Sequence, residues 1–376
     1  MQNEALAIEN QSVSFSNSFL TLEDPRRTTN GNFIYSLDEI LFLVISAVIS
    51  GSNTWVAIEN FGQSKLGWLK RFLKYENGTP SHDVLGDVFG KLDIDKFNEC
   101  FINWVSVISS LTSGEVVGID GKTVCGSGSN KKKAVHIISA FAAKNQLCLG
   151  QLATDEKSNE ITAIPKLLEL IAIKGCTVTI DAMGCQKKIA KQIRNSEADY
   201  ILMVKDNQKG LKEQIENEFD RNQSTQKNEA VDCGHGRVET RICEVIDDLT
   251  FLDVKPDWKD LKSIIKITSL RHIKTTGESS REIRYYISSL LSSPSIINES
   301  IRSHWAVENN LHWSLDVVFK EDNSLKKQGN SAFNFNIISK IALGLLKSES
   351  SYKASIPQKR YRATLDDKYR EKVLKV

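Results

Sequence analysis

Between residues 115 and 205 the chain alternates short apolar runs with polar breaks, and this spacing constrains the fold more than any other feature. The runs Val116–Asp120, Ala134–Phe141, Leu147–Ala153 and Thr177–Asp181 are each too short for a packed helix and read as buried strands. The first three follow one another across short breaks and predict an antiparallel meander. Asn159–Ile173 then has helical spacing, as does Gln186–Asn195, and the apolar run Tyr200–Lys205 follows. Strand and helix alternating in this way predict a parallel extension, so the expected core is a mixed α/β sheet flanked by helices.

The flanking segments differ. Residues 1–32 are polar, with Pro25 and the turn cluster Thr28-Thr29-Asn30-Gly31, and predict a loosely held arm. Ser36 and Glu39 have capping-box spacing at the head of an apolar helix. Its stretch Ile40–Ser50 is far shorter than the roughly 20 residues a membrane span needs, so it predicts a buried helix. Thr79-Pro80-Ser81 opens another helix, with Pro80 expected near its first position. Asp93–Ile108 carries Phe97, Phe101, Trp104, Val105 and Ile108 at helical spacing.

Beyond the core come a polar helix and the strand-like runs Val238–Val245, Ser263–Ser269 and Ile283–Leu290, then a long helix over Arg302–Phe319 and an apolar one over Ala332–Leu346. The expected organisation is an arm (1–32), a helical N-terminal domain (33–110), a sheet domain (111–348) with an insertion at about 208–292, and a basic tail (349–376).

A net charge of +2 over 376 residues gives no bulk argument for a nucleic-acid partner, so cationic patches must be local. One lies at 353–376, with eight Lys or Arg against three acids. The seven cysteines are scattered without a C-x-x-C pair, which argues against a disulfide framework or a zinc knuckle and for a reducing cytoplasm. The first residues lack the basic and apolar regions of a signal peptide. No dinucleotide-binding fingerprint points to a metabolic enzyme.

Gly121-Lys122-Thr123 has the end of a phosphate-binding loop, but the glycine five residues earlier that the loop requires is Val116. A D-x-D-G-T phosphatase fails too, since Gly118 stands at the nucleophile position. Asp120 remains. A single aspartate ending a strand is ordinarily a turn or cap residue, yet Asp181 repeats the arrangement at the end of another apolar run. Two such strands, if adjacent, bring together the hard oxygen ligands a divalent cation needs. A third candidate is Glu308. At 3.6 residues per turn it shares a helical face with His304 and His312, although such a face can equally be a solvated one. The spacing fits a zinc protease poorly, because that motif is H-E-x-x-H.

The segments G-I-D-G-K-T, T-I-D-A-M-G-C-Q, Y-I-L-M-V-K-D-N-Q, H-G-R-V-E-T-R and H-W-A-V-E-N-N-L-H-W-S-L-D-V-V-F-K-E-D occur in this order and resemble the DDE transposases of bacterial insertion sequences, in the H-repeat-associated branch. Glu23-Asp24-Pro25-Arg26-Arg27 and the helical region 36–105 resemble that branch as well, so the likeness spans roughly residues 22–348. It implies a ribonuclease-H-like mixed sheet flanked by helices, a strand-rich insertion and a catalytic, metal-binding triad of Asp120, Asp181 and Glu308. Glu321 and Asp322 are the fallback for the third acid. The wider superfamily often has a tyrosine and an arginine before the glutamate and a lysine after it; here His304 stands four residues before Glu308 and Leu315 seven after, so the DNA-contacting roles of those neighbours do not carry over.

The resemblance also implies two Mg²⁺ ions, with Mn²⁺ as a substitute, Asp120 bridging them at about 4 Å separation. The implied reaction cuts double-stranded DNA at terminal inverted repeats and joins the ends to target DNA, by a homodimer assembled on DNA near the nucleoid. Lys122, Lys205, Gln208, His235, Arg237 and Arg241 are the expected DNA contacts. Sequence reading is expected from the 80–108 helix pair or the basic tail. Two other readings use the same residues: a ribonuclease-H-like nuclease, and a DNA-binding protein derived from a transposon without catalysis.

Overall fold

The computed structural model describes residues 18–19, 21–26, 34–128, 133–154, 160–221, 226–234, 236–291 and 293–376. The first helix, α1 (Leu37–Ile49), starts at the expected capping box: Glu39 N–H donates to Ser36 Oγ at 3.3 Å, and Ser36 N–H to Glu39 Oε2 at 3.1 Å. Nearly every α1 side chain is buried, including the apolar stretch from Ile40. After α2 (Trp55–Ser64) and the single turn α3 (Leu66–Leu69), α4 (His82–Lys91) is capped by Ser81. Pro80 therefore precedes the cap and is not the first helical residue. Asp93 caps α5 (Ile94–Ile108) by accepting from Lys96 N–H at 2.9 Å.

The meander is present as β1 (Val116–Val124), β2 (Val135–Ala142) and β3 (Leu147–Thr154), all antiparallel. Helix α6 (Glu160–Leu170) leads to β4 (Thr177–Ile180), and α7 (Lys187–Asn195) to β5 (Asp199–Val204). Both strands add in parallel, β4 beside β1 and β5 beside β4. This is the expected ribonuclease-H-like mixed sheet.

After α8 (Lys209–Arg221), the insertion supplies β6 (Gln226–Gly234), β7 (Arg237–Ile246), β8 (Ser263–Ile273) and β9 (Ser279–Ser288). These are not a separate layer. β9 pairs antiparallel with β5, which gives one nine-stranded sheet in the order β3-β2-β1-β4-β5-β9-β8-β7-β6. β6 was not expected from the sequence; it is a largely exposed edge strand with no apolar run to mark it.

Helix α9 (Pro294–His304) packs on β1, β4, β6 and β7. Three contacts tie its region to the inserted strands: Asn298 Nδ2 donates to Asn228 Oδ1 at 2.9 Å, Arg302 lies 3.4 Å from Asp232, and the Arg284 guanidinium sits 4.9 Å from the centre of the Trp305 ring. The buried helix α10 (Ser331–Ser348) joins the two halves of the chain, packing on α1, α4, α5 and β3. Helices α11 (Ile356–Leu365) and α12 (Asp367–Leu374) complete the helical layer. Among the described residues, no helix is long and apolar enough to cross a membrane.

Candidate active site

The parallel register of β1 and β4 brings the two aspartates together. Gly118 pairs with Thr179 and Ile119 with Ile180, so Asp120 and Asp181 occupy the next step on adjacent strands. Asp181 opens the turn Ala182–Gly184, its Oδ1 accepting from Met183 N–H at 3.1 Å. A Cβ at Gly118 would meet the His304 carbonyl oxygen at 3.3 Å, so glycine there lets the end of α9 settle on β1. The His304 ring is fixed by Thr179, with Nδ1 2.9 Å from Oγ1. Burial lowers its pKa to about 4, so it is neutral at pH 7.

The helix expected over Arg302–Phe319 is not continuous. α9 ends at His304, and residues Val307–His312 and Ser314–Val318 follow as π-helical turns. The wider i→i+5 turn is rare and recurs at functional sites. Here it carries exposed Glu308 and half-buried His312, whose Nδ1 stands 3.5 Å from Asp120 Oδ2. The shared α-helical face of His304, Glu308 and His312 is thus replaced by separate roles, His304 on Thr179 and His312 on Asp120.

The electrostatics are those of uncompensated acids. Burial pushes the Asp120 carboxyl up to about 7, and the charges of Glu308, Asp181 and Glu160 push the same way against the Gly121 N–H. Asp181 is also raised, by burial and then by Glu160, with opposition from the Gly184 and Met183 N–H groups and Lys205. The nearest lysine in sequence does not neutralise them. Lys122 is enclosed by Asp316 at 2.5 Å, Glu321 at 2.7 Å and Asp322 at 3.6 Å. Burial alone would lower its pKa, yet Glu321 and Asp316 hold it at about 12. Glu321 also accepts from Asn336 Nδ2 at 2.5 Å, so the fallback acids belong to the Lys122 cage.

Glu160 was missed from the sequence, because it opens α6 after a polar stretch with no strand to frame it. It is buried, its Oε1 is 2.6 Å from His136 Nε2, and His136 Nδ1 is 2.9 Å from Thr123 Oγ1. A Cβ at Gly121 would lie 2.4 Å from Glu160 Oε1, which explains the glycine after Asp120. Strand alternation puts Gly121 and Thr123 on the face of β1 opposite Asp120 and Gly118, so Glu160 underlies the site from the other side.

Among the described residues, no three His, Cys, Asp or Glu side chains are grouped closely enough to hold a metal ion. The chemistry of the donors nonetheless fits one. Asp120, Asp181 and Glu308 are hard oxygen donors, and burial, with the charges of Glu308 and Asp181 beside it, raises Asp120 far above an ordinary carboxylate, a cost a divalent cation would relieve.

The expected DNA contacts are dispersed. Lys205 is exposed just beyond β5, close enough to act on Asp181. Arg237 lies at the β6–β7 hairpin, 3.7 Å from Glu239. Arg241 is mostly covered, 3.3 Å from Asp232. Gln208 Nε2 donates to the Cys185 carbonyl at 2.9 Å, and Lys122 is caged as above. His235 lies outside the described residues. In the tail, Lys359, Arg360 and Arg370 point inward and are buried.

The chain matches the family described as Transposase DDE domain over residues 112–345, and that described as DDE_Tnp_1-associated over 16–105. The chain belongs to the DDE transposase family. Relatives named as transposases agree. YhhI of Escherichia coli (strain K12), named as H repeat-associated, is 41% identical to this transposase over 351 residues, covering 90% of this chain and 92% of its own. YncI of Escherichia coli O157:H7 is 40% identical over 353 residues, 92% of this chain and 90% of its own. A solved piggyBac transposase synaptic complex with hairpin DNA aligns over 96% of this transposase and 76% of that chain, at 11% identity and a TM-score of 0.46, a likeness too low to argue from.

Proposed function

We propose that this chain is the transposase of an insertion sequence, cutting double-stranded DNA at terminal inverted repeats and joining the 3′-OH ends to target DNA. The observation that carries the reading is the adjacency of Asp120, midway along β1, and Asp181, just past β4, where the parallel pairing of the two strands ends, with Glu308 close enough to act on Asp120. These three would hold divalent cations, Mg²⁺ or Mn²⁺ as substitute.

Such ions supply the positive charge that activates water or a DNA 3′-OH and stabilises the departing oxygen. The chain's own part is to hold the acids. β1 and β4 fix the two aspartates, and the π-helical turns present Glu308 from above. Exposed Lys205 and half-buried Arg237 are suited to phosphate contact, whereas Lys122, Gln208 and Arg241 are engaged within the protein. Pairing two element ends calls for a homodimer on DNA.

The test uses a linear donor with the element's own terminal repeats, a supercoiled target and Mg²⁺ or Mn²⁺. Wild-type protein is expected to yield joined products, and Asp120→Ala to lose cutting by on the order of a thousandfold. Cutting without joining would indicate a nuclease. Specific binding of the repeats without cutting would indicate a DNA-binding protein, and full cutting by Asp120→Ala would remove Asp120 from the site.

A further inference from the structure

His312 has no place in the acid triad, yet among the described residues its ring is the one basic side chain within ion-pair distance of the Asp120 carboxylate, with Nδ1 3.5 Å from Oδ2, an approach just short of a formed hydrogen bond. In its ionised form, the one that holds a cation, Asp120 repels an unprotonated ring nitrogen, so the ring proton then belongs on Nδ1. The other nitrogen, Nε2, is buried with no hydrogen-bond partner. The neighbouring cations are committed elsewhere, Lys122 to Asp316 and Glu321, and buried Lys340 to Ser139 Oγ at 2.8 Å and to Gln151 Oε1. An apolar side chain could fill this space without leaving a buried nitrogen unpaired, which is costly. Packing therefore does not explain the histidine; a ring nitrogen standing beside Asp120, able to donate to it, does.

We propose that His312 is a positioning residue, whose Nδ1–H fixes the Asp120 carboxylate in the orientation needed to hold a divalent cation with Asp181 and Glu308. The π-helical turn that carries Glu308 carries His312 four residues later, so one irregular segment would supply an acid and also set the direction of another. This rests on the reading of Asp120 as a cation-holding residue.

The experiment measures Mn²⁺ binding to the full chain, by loss of the free-ion electron paramagnetic resonance signal and by the Mn²⁺-induced rise in melting temperature. Asp120→Ala, His312→Leu, His312→Gln and His312→Asn are compared, each first melted without metal. An asparagine amide lies near the Nδ1 position, whereas glutamine reaches toward Nε2. His312→Leu and His312→Gln are expected to weaken Mn²⁺ binding by at least about tenfold, with His312→Asn within roughly threefold of wild type. His312→Leu is expected to melt no lower than wild type without metal.

Wild-type Mn²⁺ affinity in His312→Leu, with binding lost in Asp120→Ala, would overturn the proposal and leave the triad standing. Equal weakening in all three His312 variants, together with lower metal-free melting, would show a merely structural ring and overturn it as well. Unchanged binding in Asp120→Ala, or none in wild type, would sink the reading of the site itself and the proposal with it.

Discussion

The two sides of the candidate site are built by opposite means. Asp120 and Asp181 are partly covered and sit where the parallel pairing of β1 and β4 ends, β1 itself running on to Val124, so their separation follows from a register that cannot slip without turning every neighbouring side chain over. Glu308 is exposed, on π-helical turns between a regular helix and the left-handed residue Lys320. A half fixed by strand pairing thus faces a half held by irregular helical turns. The contrast accounts for an Asp120 that feels the charges of Glu308 and Asp181 while, among the described residues, no three side chains stand close enough to hold an ion. Closure around a cation would have to come from the Glu308 side.

The contrast can be broken most severely on the irregular side. Deleting Asn309, an exposed residue inside the first π-helical turn, would return that turn toward α-helical register and rotate Glu308 by about 100° relative to His312. Strand cutting is expected to fall at least about a hundredfold with little change in melting temperature. Near-normal cutting by this deletion would show that the wide turn is dispensable.

On the fixed side, Gly121→Ala forces a Cβ to within 2.4 Å of Glu160 Oε1 and 2.5 Å of His136 Nε2. Urea unfolding should show a loss of about 1–3 kcal/mol. Gly118→Ala, whose nearest contact is 3.3 Å, should cost less. Equal stability for the two variants would contradict the crowding beneath β1.

The smallest expected effect is on pH dependence. In the folded chain Asp120 keeps its proton up to about pH 7, and when unfolded only to about pH 4. The folded state therefore binds more protons in that window, and its stability falls as pH rises through it. Metal-free Asp120→Asn should melt above wild type at pH 8 and level with it at pH 4. A constant offset at both pH values would exclude the buried charge as the cause.

The parts legible in the sequence were those with local signatures. β1 to β5 announce themselves as apolar runs because both faces of those strands are covered. Ser36 and Glu39 mark α1 because a capping box is a local device. β6 stayed hidden because an exposed edge strand needs no apolar face, and the π-helical turns because two turns are too few to separate their period from an α-helix. Lys122 looked like a phosphate ligand since its cage, Asp316 to Asp322, lies nearly two hundred residues away in sequence. Glu160 was hidden for another reason: it opens α6 after a polar stretch, with no strand pattern to mark it as a partner of His136. The aspartates were legible as a repeated pattern, but their adjacency came from a register that only the fold displays.

The continuity of the nine-stranded sheet has a mechanical consequence. The outer ribbon and the helix ahead of Glu308 are fastened at Asn228, Asp232 and Arg284. A load taken up far out on that ribbon would reach the end of the helix ahead of Glu308 through side-chain linkages and not through solvent. The site could thereby register what is gripped about a whole ribbon's length away.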